Sequence, residues 1–184
     1  MNTTNTSKRI GFGPRLGAFL IDSFILAFLV SLLVSIFMPE HMNLFARGQY
    51  LEVLTGAGGP PSEEVMQSVW RVSTFMAHIS MLYMLIEGFT GATPGKKILG
   101  LKIGRPDGSH GDQGLYLTRY MVKNSPSLLN LLVTTLGIGL LGRLAGIAGM
   151  VIFFGAFMML SPERQALHDR IAHTAVFRRR DLHA

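Results

Sequence analysis

The chain has 184 residues, of which 48% are hydrophobic and only 15% charged, and it contains no cysteine. The length fits one domain, and the absence of cysteine excludes disulfides, thiolate catalysis and Cys-ligated zinc. The apolar residues come in long blocks, which is typical of a small integral membrane protein. The net charge of +6 lies in three basic clusters beside those blocks, without a nucleic-acid-binding pattern. The charge therefore indicates membrane orientation, and we expect no nucleic-acid partner.

The first predicted transmembrane span covers residues 16–38. A hydrocarbon core about 30 Å thick needs roughly 20 apolar residues, and this run supplies them. The run is too long for a signal peptide and lacks a small-x-small cleavage site, so we expect it to stay as an anchor. Arg15 immediately precedes the span and Asp22 lies inside it. They share one helix face about two turns apart, too far for a direct pair, so each needs a partner elsewhere.

A loop over residues 39–62 follows, and its middle, 42–54, is compatible with a short helix on the outer membrane surface. Ser62 before two glutamates predicts the start of the second span, 63–89, because a capping hydroxyl and acids favour a helix N-terminus. Glu87 lies at the inner end of this span. The outer half carries a polar stripe that we expect to face protein or a wet crevice, since lipid would penalise it. The stripe contains Glu64, Gln67, Ser68, Arg71, Thr74 and His78.

The segment GATPGKK after the second span resembles a phosphate-binding loop, but it is one residue short of that motif and follows a membrane helix rather than a strand. A small cytoplasmic β-hairpin is the better interpretation. Its first arm is residues 98–103, its turn is 105–108, and its return begins at Ser109.

Two further spans are predicted over residues 115–141 and 143–160, joined by a tight glycine-rich turn. One continuous helix would be much longer than a bilayer is thick. Pro126 interrupts the first of the two, so one span plus an interfacial helix remains an alternative. Two pairs, Gly142 with Gly146 and Ala145 with Gly149, give the last helix a small-residue face for close packing.

The topology follows from the positive charges. Residues 1–15, 92–127 and 161–184 hold fourteen of the seventeen Lys and Arg residues. Four spans put all three segments on one side, which the positive-inside rule makes cytoplasmic. The fold class predicted is therefore an all-α membrane protein with four transmembrane helices and a cytoplasmic β-hairpin between the second and third. A strand over 174–177 could pair with that hairpin.

Three sequence blocks resemble the signature of the RDD family of membrane proteins. The first, Arg-x-x-Ala-x-x-(Ile/Leu)-Asp, is matched by RLGAFLID at 15–22, and the last, Leu-His-Asp-x-x-Ala-x-Thr-x-Val, by LHDRIAHTAV at 167–176. The middle block is matched by TPGKKILGLKI at 93–103. His173 departs from the glycine that is more frequent in the family. The middle block places the motif residues at Thr93, Gly95, Lys96 and Gly100.

The resemblance implies a membrane protein for which transport, including cation/proton exchange, is one expectation and a non-transporting scaffold or adaptor the other. An aspartate among basic residues could alternate between protonated and cation-bound states. A structural network would be retained without transport, because breaking a buried pair is costly. The candidate network and ion site consists of Arg15, Asp22, Glu87, Arg119 and Asp169, with Asp169 expected beside Arg15 and Arg119 beside Asp22.

An enzymatic role is a distant third interpretation. His78 lies on the polar stripe and His168 precedes Asp169, but neither has metal-ligand spacing. We expect no catalytic residue, no metal and no cofactor. The expected setting is the bacterial cytoplasmic membrane with both termini inside. Four short helices make a thin wall, so transport would need a homo-oligomer, whereas a scaffold or adaptor implies a protein partner.

Overall fold

The computed structural model describes residues 8–46, 48–56 and 59–183. Three of its helices are long and apolar enough to cross a membrane: α1 (Phe12–Phe37), α4 (Glu63–Thr90) and α8 (Gly139–Ala156), the last extended by a 3-10 turn, Phe157–Leu160. Their mean hydropathies are 2.5, 1.3 and 1.9. The predicted spans 16–38, 63–89 and 143–160 coincide with these helices to within a few residues.

Short helices follow α1 on the predicted surface loop. Residues 42–54 do not form one helix, because α2 (Pro39–Ala46) and α3 (Gln49–Thr55) are separate. Residues 47, 57 and 58 of this loop lie outside the described residues. The predicted start of α4 is correct, since the Val65 N–H donates to Ser62 Oγ at 3.3 Å.

The predicted span 115–141 is broken. Helix α6 (Gln113–Lys123) ends before Asn124 and α7 (Ser125–Leu136) begins after it. Pro126 explains the break, because its nitrogen cannot donate to the carbonyl four residues back in α6 and its ring clashes with that carbonyl, whereas the first turn of a new helix tolerates proline. Helix α7 has 12 residues, or about 18 Å at 1.5 Å per residue, short of a 30 Å core. Four membrane-spanning helices are therefore not confirmed.

Helices α7 and α8 form an antiparallel pair around the predicted glycine turn. Gly137, at φ 70°, ends α7 in the left-handed conformation that glycine adopts without strain. A Cβ placed on Gly142 would lie 3.8 Å from Val133, and one on Gly149 would lie 3.8 Å from Pro126. The small residues that meet α7 are thus Gly142 and Gly149, whereas a Cβ on Gly146 would meet nothing.

A two-stranded antiparallel sheet joins the middle of the chain to its tail. Strand β1 (Leu101–Gly104) pairs with β2 (Ala175–Arg178), with Leu101 opposite Arg178. The predicted strand near 174–177 is thus confirmed, but the predicted hairpin is not. The first arm of the predicted hairpin begins later because α5 (Pro94–Ile98) is helical. Its return makes two isolated bridges, His110 with Gly104 and Ser109 with His183, before the chain enters α6.

The chain divides into two compact units. Residues Ser23–Tyr83 form one, here the middle unit, and Met1–Asp22 with Met84–Ala184 form the other, here the sheet unit. The core of the sheet unit surrounds the two strands. It consists of Ala18, Leu101, Ile103, Tyr116 and Val176. The charged residues described next belong to this unit, as does the five-residue helix α9 (Leu167–Ile171).

Candidate functional site

Asp22 holds the segment that begins at Thr93. Its two carboxylate oxygens accept from the Thr93 hydroxyl at 2.5 Å and from the Gly95 N–H at 2.7 Å. Thr93 is also the N-cap of α5, since its Oγ1 accepts from the Lys96 N–H at 3.3 Å. Gly95 must be small, because a Cβ there would meet the Ala18 carbonyl and lie 2.9 Å from Asp22 Oδ1. The Thr-x-Gly-Lys motif thus seats a short helix on the first span.

Glu87 is the meeting point of three cations. It is 2% exposed and accepts from Lys96 Nζ at 2.9 Å and from Lys123 Nζ at 3.1 Å. Arg119 Nη1 forms a third ion pair with it. The contacts tie the C-terminal end of α4 to α5 and α6.

Asp169 is fully buried, at 0% exposure. Its oxygens accept from Arg15 Nη1 at 2.5 Å, from Arg119 Nε at 2.7 Å and from the Ala166 N–H at 3.2 Å. Arg15 also donates to the backbone carbonyls of Ile10 and Arg164. The predicted contact of Arg15 with Asp169 is confirmed, and it joins the start of α1 to α9.

Arg119 links the two carboxylate centres, since its ion pairs go to Glu87 and Asp169. The predicted pairing of Arg119 with Asp22 is therefore wrong, and the described hydrogen bonds of Asp22 come from Thr93 and Gly95 instead. The reason is geometric: Arg119 has carboxylates on both sides, whereas a hydroxyl and a backbone N–H already satisfy Asp22. We name Arg15, Asp22, Glu87, Lys96, Arg119, Lys123 and Asp169 the charge cluster.

The electrostatics of the cluster keep Asp169 ionised and His168 neutral. Burial works to raise the pKa of Asp169, but Arg119 and Arg15 outweigh it and hold that pKa well below its usual range. Burial, helped by Arg119, lowers the pKa of His168 to about 2. Burial also lowers the pKa of Lys96 to about 8, although the charge of Asp169 opposes the shift.

A cavity of about 250 Å³ adjoins the cluster. Arg15, Lys96, Arg119 and Lys123 contribute to its lining, together with Asp22. Apolar side chains, together with Thr93 and His168, complete the wall. The remaining lining residues described are Phe12, Leu16, Phe19, Met84, Thr93, Ala156, Met159 and His168.

Sequence reasoning missed Lys123 and His168 as members of this site. Lys123 follows Arg119 by four residues, one helical turn, so the shared helix face was a usable signal. His168 approaches Arg119 with its Nε2 3.2 Å from Nη2, and nothing local in the sequence indicates this. Gly100, the last motif residue, has φ 66° with open space at its Cβ position. A left-handed turn into β1 is therefore its role in the fold.

The predicted polar stripe belongs to the middle unit and has a different character. His41 Nδ1 lies 2.5 Å from Ser68 Oγ, and both residues are buried. His78 Nδ1 donates to the Thr74 carbonyl at 2.6 Å. Glu64 and Arg71 are exposed. A second cavity of about 400 Å³ is lined by Met38, Trp70, Arg71, Thr74, Phe75 and His78.

The described residues contain no group of three or more His, Asp or Glu side chains placed to hold a metal ion.

Three apolar helices of membrane-spanning length, with buried charges gathered at the ends of α1 and α4, define the class: a helical membrane protein. The family model of the RDD family matches residues 9–173. The chain therefore belongs to the RDD family. No curated protein and no solved structure matches it.

Proposed function

We propose that this protein is a non-transporting scaffold or adaptor of the bacterial cytoplasmic membrane and that its charge cluster is a structural clasp. The clasp holds α5, α6 and α9 against the ends of α1 and α4. The partner would be another protein, which docks on the cytoplasmic elements that the clasp positions.

The pairing of all three carboxylates with donors of the protein carries this proposal. Asp169 has three described donors, Glu87 has three cations, and both oxygens of Asp22 accept a hydrogen bond. A metal cation would have to compete with these donors for the same carboxylate oxygens. Removing one partner of a buried pair typically costs about 3–5 kcal/mol, which gives the pairs a sufficient structural purpose.

The proposed topology has four passages, formed by α1, α4, α7 and α8, with both termini cytoplasmic. The segregation of fourteen of seventeen Lys and Arg residues supports it. Because the chain has no cysteine, single cysteines can report the side of each segment. Gly59→Cys should react with an impermeant thiol reagent in intact cells, whereas Ser109→Cys and His183→Cys should react only after permeabilisation. Labelling of His183→Cys from outside would contradict the four-passage topology.

Flux measurements separate the clasp from an ion site. In proteoliposomes under a pH gradient, wild type and Asp22→Asn should both move no more Na⁺ or K⁺ than empty vesicles. Asp22→Asn should lower the midpoint of thermal unfolding, because Asp22 seats Thr93 and Gly95. Flux in wild type that Asp22→Asn abolishes without a change in thermal stability would overturn the proposal.

Cation/proton exchange is the second candidate, and one observation favours it. The 250 Å³ cavity borders both Asp22 and Lys96, and burial brings the pKa of Lys96 to about 8, where a proton exchanges near neutral pH. A homo-oligomer would supply the wall that four short helices lack. Under this candidate, Lys96→Gln should abolish pH-driven cation flux while the equally basic but exposed Lys97→Gln should not. Absence of flux in wild type would exclude it.

A further inference from the structure

We infer that the cavity beside the charge cluster binds the phosphate group of an anionic phospholipid. This goes beyond the clasp, since a clasp needs no ligand. Three features of the cavity support this inference: the charge of its lining, the unused donors of two lysines and the apolar part of its wall.

The lining presents more positive than negative charge. Four cations line the cavity, whereas Asp22 is the carboxylate among the described lining residues. Both oxygens of Asp22 already accept hydrogen bonds from the protein. The charge cluster as a whole has four cations against three carboxylates, and His168 stays neutral because burial lowers its pKa to about 2. The formal charge of the cluster is thus +1, although burial lowers the pKa of Lys123 well below its usual value. A monoanion in the cavity would neutralise that charge and favour the protonated form of Lys123.

The two lysines have donors to spare. An ammonium group carries three N–H donors. Lys96 Nζ donates one of them to Glu87. Lys123 Nζ also donates one to Glu87 and makes a weak contact, at 4.0 Å, with Met84 Sδ. Lysine is a common phosphate ligand, acting as a point charge, and burial strengthens such an interaction. The remaining N–H groups can therefore meet an anion in the cavity.

The apolar wall favours a lipid over a free anion. Phe12, Leu16 and Phe19 of α1 line the cavity and are 36%, 40% and 58% exposed. A membrane-spanning α1 places these side chains beside acyl chains. The volume of about 250 Å³ exceeds that of several waters at about 30 Å³ each, so a phosphate and part of its glycerol fit. The acyl chains would then lie along the exposed face of α1.

The test compares two variants of equal charge. Lys123→Gln removes a cavity cation but leaves Glu87 with Lys96 and Arg119, whereas Lys97→Gln removes an exposed lysine of α5, next to Lys96. Delipidated full-length protein is titrated in a neutral detergent with phosphatidylglycerol, with phosphatidylcholine of identical chains, and with inorganic phosphate. The thermal midpoint and native mass spectrometry are the readouts.

We expect phosphatidylglycerol to raise the midpoint of wild type and of Lys97→Gln, and phosphatidylcholine and phosphate to leave it unchanged. The apparent affinity of Lys123→Gln should be about tenfold weaker, as loss of one charged contact predicts, and Lys123→Arg should restore it. Equal stabilisation by inorganic phosphate would overturn the lipid assignment. Equal weakening in Lys97→Gln, or no preference over phosphatidylcholine, would overturn the site. None of these outcomes depends on cation flux, so the lipid site is tested independently of the clasp proposal.

Discussion

The sheet unit and the middle unit treat polar side chains in opposite ways. In the sheet unit, buried ions pair across long sequence separations, as Arg15 does with Asp169 and Arg119 does with the same carboxylate. In the middle unit, polar groups satisfy themselves largely within their own helix, as His78 does on the Thr74 carbonyl, and Arg71 stays exposed. Polar residues therefore hold separate segments together in the sheet unit but do so much less in the middle unit.

This difference has an energetic consequence. A bond within one helix survives when the rest of the fold loosens, whereas an ion pair between segments is lost and leaves its partner buried. Substitutions in the charge cluster should therefore lower the free energy of unfolding more than substitutions in the polar stripe. The following predictions test that ranking, and a reversal of any pair would break the contrast.

The largest effect is expected for Asp169→Asn. The variant leaves Arg15 without a buried countercharge and leaves Arg119 with Glu87 alone, so the free energy of unfolding in detergent should fall by about 3–5 kcal/mol. Glu163→Gln is the matched control, because Glu163 pairs with Arg170 at 2.6 Å but is 44% exposed. That change should cost at most about 1 kcal/mol. Equal losses in the two variants would show that burial does not set the strength of these pairs.

Gly95→Ala should follow, with a loss of about 1–3 kcal/mol from overpacking. The added Cβ would meet the Ala18 carbonyl and the Asp22 carboxylate, and backbone cannot move aside cheaply. At Gly13, also near the cluster but on α1, a Cβ meets nothing within 4 Å. Gly13→Ala should be neutral or stabilising by up to about 1 kcal/mol, since alanine favours a helix. Thermal midpoints of the two variants make the comparison, and a stable Gly95→Ala would remove the steric reason for the motif glycine.

The fold was predictable where one strong local signal decides an element. Long apolar runs gave α1, α4 and α8, because a bilayer core sets the required length. The third predicted span failed because one proline at 126 overrides the hydrophobicity of its neighbours. The hairpin failed because strand pairing depends on distant residues, and β1 has its partner in the tail.

Part of the charge cluster was also predictable, namely the part that a conspicuous local signal indicates. Opposite charges at conspicuous positions led correctly from Arg15 to Asp169. The partners of Asp22 were not predicted. One of them is the backbone N–H of Gly95, and matching opposite charges in a sequence cannot identify a backbone donor, because almost every residue has one. The gathering of Lys96, Arg119 and Lys123 around Glu87 depends on where α5 and α6 pack, which no local pattern encodes.

Acid should destabilise the sheet unit through His168. Its folded pKa of about 2 lies below the unfolded value of about 6.5, because burial and Arg119 disfavour the charged ring. Between those values the unfolded chain binds the extra proton, so stability is full above pH 6.5 and falls as the pH falls. From pH 8 to pH 5 the loss should be about 2 kcal/mol at 1.36 kcal/mol per unit.

Two variants isolate that titration in chemical denaturation at each pH. His168→Gln should lose this part of the acid dependence, whereas substitution of the exposed His110 by Gln should retain it. If the acid dependence is the same in wild type and His168→Gln, the ring is protonated in the folded protein and the neutral state argued above is wrong.

The smallest effect is expected in the middle unit, for Ser68→Ala. This change removes the 2.5 Å contact with His41, and a buried imidazole without its partner should cost about 1–2 kcal/mol. Ser35→Ala is the control, because the Ser35 hydroxyl is exposed and donates to the Leu32 carbonyl within its own helix, so the change should fall within about 0.5 kcal/mol. His41 and Ser68 lie in different helices, so this contact is the exception to self-satisfied polar groups in the middle unit. A loss as large as that of Asp169→Asn would mean that the contrast between units depends on segment-to-segment contact, whether charged or not, rather than on ion pairing.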